Sequence, residues 1–450
     1  IGIAASPVMK FVENLASYLP SLIVAYLVDP KKGDPTKPEE RPVRQSYETV
    51  CMFADVSGFT ALSEAMSKHG PKGAEYLAKH LNSYFGLMVR TIASEGGDVF
   101  KFAGDAMIVL WPDIDSLEIR CRRAAQCALR FQQELHRAEL AEGVTLSVKV
   151  GIGVGTVSVL HMGGMLGRME YVAVGEPLVQ AFGAEEQATP GDVILSGEAW
   201  KMVKSAFHSG EPRGHGCVAL PRGGDYDKLK TVSKLNMLRD LELDDFTLES
   251  KLRQYVPGAI LGHLSAEAPD QEAWGSELRR LSVLFVNLGL KEHDLLAAAQ
   301  YDDAMRRCHD VLVAVQRAVY KYEGSVNKFL MDDKGSTLIA IFGLPPLTHE
   351  NDCTRAVLCA LAICSSLNDL RLTASVGITT GVAFCGVVGS TTRKEYSVLG
   401  DTVNLSARLM SYANKNGGGV WCDEATREGS RGSVEFHPAK QIMVKGKSIP

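Results

Sequence analysis

Residues Phe53 to Thr60 read FADVSGFT, and Phe285 to Gly289 read FVNLG. The first phrase ends an apolar run in Asp55; the second places Asn287 at the same point. A further acid, Asp105, lies in the AGD between Val99–Phe102 and Ala106–Trp111, which read as the two arms of a hairpin. Two carboxylates on neighbouring strand ends form a hard-oxygen set for Mg²⁺ or Mn²⁺, with substrate phosphates completing the shell. Two such ions can activate an attacking hydroxyl and steady a leaving pyrophosphate. In VSGFT a glycine beside small hydroxyl residues lets backbone N–H groups turn toward phosphate, and a helix N-terminus there adds a favourable dipole. A lone Asp is more often a turn residue. The pair, followed by a glycine-containing loop, favours the metal reading.

The elements that must hold these groups follow from periodicity. Val50–Asp55 reads as a short buried strand, and Lys72–Glu95 as a helix closed by the glycines of EGG. Ile119–Leu140 reads as a second helix, with Cys121, Ala125, Ala128 and Leu129 near one face. Leu146–Val159 reads as a strand pair around Gly155. The order β-α-β-β-α-β is the ferredoxin-like unit, so the fold class is α+β. In that sheet the end of the first strand and the turn between the next two lie side by side.

The phrase recurs because the whole unit recurs. Phe53 falls over Phe285, Lys101 over Lys328, Val150 over Val376 and Glu170 over Glu395, a separation of roughly 230 residues. So long a period means tandem copies of one domain. The sequence divides into an N-terminal helical brace (1–45), a first copy (46–205), a Gly- and Pro-rich linker with a connecting segment (206–276), and a second copy (277–450). VENLASYLPSLIVAYL is amphipathic enough to brace the core or to meet a partner, and packing is the default.

Composition narrows the class. Hydrophobic residues make up 46% and charged residues 22%, as in soluble globular proteins. A net charge of −5 argues against nucleic acid, whose phosphates call for a basic excess. The 10 cysteines show no CxxC pair and no zinc spacing, a usage that fits reduced thiols in a cytosolic or nuclear compartment, and a cytoplasmic setting is expected. No run approaches the roughly 18 apolar residues of a membrane helix. The start without Met and the end in VKGKSIP read as a piece of a longer protein.

FADVSGFTALSE, GGDVFKFAGDAM, NKFLMDDKG and YSVLGDTVNLSARL together resemble the class III nucleotidyl cyclases. The resemblance is closest to the catalytic tandem of the soluble, bicarbonate-responsive adenylyl cyclases and covers nearly the whole chain. It implies two cyclase domains paired head to tail about a pseudo-twofold axis within one chain, as a monomer. The implied substrate is ATP, cyclised to 3′,5′-cyclic AMP with two Mg²⁺ or Mn²⁺ ions.

The resemblance assigns roles residue by residue. Asp55, Asp105 and the Val56 carbonyl would hold the ions, and the backbone of Val56, Ser57, Gly58, Phe59 and Thr60 would cradle phosphates. Asn404 would orient the ribose, and Arg408 would meet charge growing on the α-phosphate. Lys149 and Lys445 would contact the triphosphate. Lys328 and Ser397, with Val398 beside them, would read the base. A lysine donates to adenine N1 and a hydroxyl accepts from its amine, whereas guanine N1 is itself a donor.

The two copies are complementary. The second has Asn287 for Asp55, although Asp332 or Asp333 remains. The first has Val179 and Gly183, or Leu178 and Phe182 with a one-residue gap, where the second has Asn404 and Arg408. One productive site and one degenerate pocket are expected. The pocket would be lined by Lys101, Ala173, Phe182 and Met331 and could take bicarbonate, with Phe182 or Gly183 where the family has an arginine. The rival readings are a guanylyl cyclase, which Lys328 disfavours, and a non-catalytic nucleotide-sensing module, which the retention of Asp55, Asp105, Asn404 and Arg408 disfavours. A palm-type polymerase or a diguanylate cyclase shares the two-metal logic, but no GGDEF-type stretch is present and the charge is negative.

Overall fold

A computed structural model describes residues 7–29, 31–58, 61–62, 65–66, 73–113, 115–141, 143–232, 246–262, 264, 276–332 and 335–442. The chain opens with helices α1 (Pro7–Ala16) and α2 (Ser21–Val28), then enters strand β1 (Val43–Ser57). There follow α3 (Gly73–Ser94), β2 (Asp98–Ala103), β3 (Ala106–Leu110), α4 (Leu117–Leu135), β4 (Ala138–Ala141), β5 (Val144–Met165), β6 (Arg168–Val174) and α5 (Glu176–Glu186). The first half closes with β7 (Val193–Leu195), α6 (Gly197–Val203), β8 (Glu211–Pro212) and β9 (Val218–Leu220). Helices α7 (Phe246–Tyr255) and α8 (Gly258–Leu261) lead to the second half. That half runs β10 (Glu277–Asn287), α9 (Glu292–Ala298), α10 (Asp302–Lys321), β11 (Ser325–Asp332), β12 (Gly335–Phe342), α11 (Asp352–Asp369), β13 (Ser375–Gly389), β14 (Lys394–Leu399), α12 (Asp401–Lys415), β15 (Gly419–Cys422) and α13 (Glu424–Gly429).

The strand orders β2-β3-β1-β5 and β11-β12-β10-β13 are the ferredoxin-like order, once in each half. Strand parity decides which side chains leave each half. In β1, Val50, Met52, Ala54 and Val56 point into the first half's own core, against α3 and α4. Cys51 and Phe53 point the other way, into a cluster shared with Leu281, Val283 and Phe285 of β10. Side chains alternate along a strand, so Asp55 and Asn287 both lie on the faces that the two halves turn toward each other. The α1–α2 hairpin contributes Phe11, Leu15, Leu19 and Ile23 to that shared cluster.

Each half also reaches the other through a hairpin. At the β5–β6 turn, Gly163 N donates to His309 Nδ1 (3.3 Å) and Met165 N to Gln316 Oε1 (3.3 Å), both on α10. At the β13–β14 turn, Gly389 N donates to Asn82 Oδ1 on α3 (3.1 Å).

Three readings of the sequence are corrected. The second helix of the first half stops at Leu135, and Ala138–Ala141 pairs with β5 instead. His136 is extended (φ −68°, ψ 126°), which ends the helix. The strand pair around Gly155 is a single strand: the β1 ladder runs unbroken from Val43↔His161 to Ser57↔Ser147, and glycine tolerates φ +140° within it. Residues 211–220, read as loop, supply β8 and β9, which extend the first sheet beyond β7. Among the described residues no helix is long and apolar enough to cross a membrane. All ten cysteines carry free thiols.

Candidate active site

The backbones of the first half's two acidic residues lie side by side as the sheet order requires. Asp55 pairs in register with Ala106 of β3, and Val56 N donates to the Asp105 carbonyl (3.2 Å). On its other side Asp55 pairs with Lys149 of β5, whose Nζ lies 3.3 Å from Asp55 Oδ2. Lys149 also contacts the Glu185 carboxylate on α5. Burial pulls the Lys149 pKa down, but Glu185 and Asp55 outweigh it and hold the ammonium above its ordinary value. Ser57 Oγ donates to the Ser147 carbonyl (3.1 Å). Gly58 follows at φ +98°, where an added Cβ would lie 2.5 Å from the Thr145 carbonyl oxygen. Only glycine carries the chain past β5 there. Phe59 and Thr60 lie outside the described residues.

In the second half, Lys328 is only 2% exposed. Its Nζ donates to Ser397 Oγ (3.0 Å) and to the Phe102 carbonyl of the first half (2.8 Å), and lies 3.2 Å from Glu395 Oε1. Val398 is buried in the shared cluster. Asn404 and Arg408 are four residues apart on α12 and so share a face. Both are half-buried, and Arg408 Nη1 lies 3.9 Å from Asp401 Oδ1. Helix α12 can lie close on β13 because Gly377 has no side chain: an added Cβ would sit 2.0 Å from the Ser406 carbonyl oxygen. Lys445 lies outside the described residues.

The counterpart positions form the other pole. A cavity of about 1010 Å³ brings Asn287 and Gly289 of the second half against Val179, Phe182 and Gly183 of the first. Ala173 also lines it. Asn287 is buried, its Oδ1 accepting from Gly289 N (2.9 Å), and its β13 partner is Ser375, where the first half has Lys149. At the positions of Asp55 and Lys149 this pole therefore has neither carboxylate nor lysine. Phe182 packs edge-on against Phe53, ring centres 4.9 Å apart. Lys101 does not line the cavity wall. It is 4% exposed, and its Nζ donates to the carbonyls of Tyr171 (2.9 Å) and Phe329 (2.7 Å). The Met331 backbone pairs with Ser336 in the β11–β12 ladder; its side chain lies outside the described residues.

Periodicity alone missed Glu170, Arg393 and Glu395, which with Arg168 surround the two buried lysines. The signal was available: both copies keep Arg-x-Glu-Tyr, as RMEY and RKEY. Glu185 was missed because only the tertiary packing of α5 on β5 brings it to Lys149. The donors at Asp55 and Asp105 suit a divalent ion. They are hard oxygens on adjacent strand ends, the donor type that Mg²⁺ and Mn²⁺ take; among the described residues no group of three or more His, Cys, Asp or Glu forms a metal cluster.

The profile of the adenylate and guanylate cyclase catalytic domain matches residues 43–231 and 321–449. Adenylate cyclase type 10 of Rattus norvegicus is 31% identical over 98% of this chain and 28% of its own length. The Homo sapiens protein of the same name is 30% identical over 93% of this chain and 26% of its own. The chain thus spans little more than a quarter of these relatives. A class III adenylyl cyclase-like ATP-binding protein from Pseudomonas aeruginosa shares the fold, with a TM-score of 0.59, 14% identity and coverage of 94% of this chain and 92% of that one. Two matched segments, the doubled strand order and a likeness over 98% of this chain agree: the chain belongs to the class III family of adenylate and guanylate cyclase catalytic domains.

Proposed function

We propose that the chain is an adenylyl cyclase, converting ATP to 3′,5′-cyclic AMP and pyrophosphate at one site between halves paired head to tail. The observation that carries this reading is the degenerate cavity. There Asn287 faces Val179 and Gly183, the counterparts of Asp55, Asn404 and Arg408 in the repeat. The reciprocal bonds Lys101–Phe329 and Lys328–Phe102 support the same twofold relation. In this reading the same relation, applied to the other pole, would set Asp55 and Asp105 across from Asn404 and Arg408.

In this reading Asp55, Asp105 and the Val56 carbonyl hold two Mg²⁺ or Mn²⁺ ions, which supply Lewis-acid charge to the triphosphate and the attacking 3′ hydroxyl. The backbone N–H groups from Val56 to Thr60 would cradle the β- and γ-phosphates. Lys149, held charged by its carboxylate neighbours, neutralises triphosphate charge with Lys445. Asn404 orients the ribose. Arg408 faces the α-phosphate, where its planar donors stabilise charge that develops as pyrophosphate leaves. Adenine N1 accepts a hydrogen bond from Lys328 Nζ in place of Ser397 Oγ, freeing that hydroxyl to accept from the adenine amine. Guanine, a donor at N1, would oppose the ammonium. A regulatory anion such as bicarbonate would meet Phe182 in place of an arginine; Lys101, held by two carbonyls, does not line the cavity, which presents Lys291, Arg307 and Arg371 instead. The reading takes the protein to be a monomer that works in the cytoplasm.

The test is cyclic nucleotide production from ATP and from GTP, with Mg²⁺ or Mn²⁺, with and without bicarbonate at fixed pH. Cyclic AMP from ATP, lost in Asp55→Ala and retained in Asn287→Ala, is the expected result. Equal loss in both variants, or turnover of GTP alone, overturns the reading.

A further inference from the structure

Arg393 is buried in the interface, yet it touches no residue assigned to the chemistry except through Glu395. Its guanidinium donates to the carbonyls of Val99 (2.8 Å), Phe100 (3.1 Å), Lys394 (2.6 Å) and Tyr18 (3.1 Å). It also lies 5.3 Å from the centre of the Phe102 ring and 3.5 Å from Glu395 Oε2. It therefore fastens three pieces of chain: β2, the start of β14 and the turn of the α1–α2 hairpin. A second bond ties that turn down, Lys394 N donating to the Ser17 carbonyl (2.8 Å).

Glu395 continues the chain of contacts. One oxygen faces Arg393 and accepts from Phe102 N (3.3 Å), while the other lies 3.2 Å from Lys328 Nζ. A buried carboxylate costs free energy unless charge and donors surround it. Lys328, Arg393, Lys101 and the Phe102 amide overcome burial and hold Glu395 below its ordinary pKa, so it stays ionised. A long lysine side chain has many rotamers, and fixing it costs entropy. A charged partner at one end of a rigid frame removes that freedom before any base arrives.

We propose that Arg393 and Glu395 are positioning residues for base recognition: Arg393, anchored by the α1–α2 turn, fixes Glu395, and Glu395 aims the Lys328 ammonium at the base. The inference rests on the adenylyl cyclase reading for the identity of the base. Selectivity for adenine over guanine then depends on a carboxylate that never touches the nucleotide.

The experiment measures dissociation constants by calorimetry for 3′-deoxy-ATP and 3′-deoxy-GTP, which lack the attacking hydroxyl and cannot cyclise. The proteins are the wild type, Glu395→Gln, Lys328→Met and the double variant, each with its thermal melt. Glu395→Gln is expected to weaken 3′-deoxy-ATP about tenfold or more, the value of a charge-assisted contact, with 3′-deoxy-GTP unchanged. The same change made in Lys328→Met is expected to add nothing. Two results overturn the proposal: an unchanged ratio of the two constants in folded Glu395→Gln, or a further tenfold or so loss when Glu395→Gln is added to Lys328→Met. If Glu395→Gln alone does not fold, the double variant, which removes opposite buried charges together, carries the second criterion. A merely structural role lowers the melting temperature and weakens both nucleotides alike. Cyclic AMP production by the wild type is measured separately. Its absence would refute the adenylyl cyclase reading, while an unchanged nucleotide ratio would refute this one.

Discussion

Gly377→Ala offers a test in which a single methyl group should separate stability from catalysis. An added Cβ would lie 2.0 Å from the Ser406 carbonyl oxygen and 2.5 Å from Met410 N, both in the backbone of α12. Backbone cannot rotate aside, so α12 must retreat from β13 by roughly 1.5 Å to regain ordinary contact distance. Asn404 and Arg408 ride on that helix. A misplacement of about 1 Å at such groups can cost on the order of 100-fold in rate, or about 2.7 kcal/mol of barrier. Overpacking itself should cost about 1–3 kcal/mol of stability. The control is Gly153→Ala, whose Cβ would lie 2.2 Å from the Pro177 carbonyl oxygen and displace α5 of the degenerate pole. Both variants should lose similar stability in urea unfolding. Gly377→Ala should lose about 100-fold in kcat for cyclic AMP formation and Gly153→Ala much less, because α5 reaches the productive site only through Glu185 beside Lys149. A folded Gly377→Ala enzyme with wild-type kcat, or equal kcat losses in the two variants, would refute the reasoning.

Two further outcomes follow from the same geometry. Arg408→Ala should lower kcat by about 10²–10³-fold with little change in KM, because its work is confined to the transition state; Arg408→Lys should recover only part of it, as read by steady-state kinetics with ATP. For Lys101, burial pushes the pKa down to about 8, with Glu170 and Glu395 opposing. Below that pH both folded and unfolded chains carry the proton, and the burial cost is felt in full. Between about 8 and about 10.4 the folded state has lost the proton and the unfolded state has not, so stability rises with pH, by at most about 1.4 kcal/mol per unit. Urea unfolding across that window should show the rise in the wild type and its loss in Lys101→Met, and parallel pH profiles would sink the assignment.

The sequence by itself determined the doubled ferredoxin-like unit, because its period-2 and period-3.6 patterns are local and occur twice. It also determined the complementarity of the copies, since the exchange of Asp55 for Asn287, and of Arg408 for Gly183 or Phe182, is a matter of residue type at aligned positions. Gly155 was misread because a glycine inside an apolar run signals a break unless a partner ladder spans it. That ladder, from Val43↔His161 to Ser57↔Ser147, is a long-range fact. Strands β8 and β9 were misread because a polar, proline-containing segment becomes a strand only where β7 offers an open edge. Only the tertiary structure decided that Lys101 and Lys328 each reach across to a carbonyl beside the other. It also placed Glu185 against Lys149 and made Arg393 the joint of three distant segments. Such contacts depend on which faces of two sheets meet, and a pattern along one chain fixes each face without saying what will lie against it.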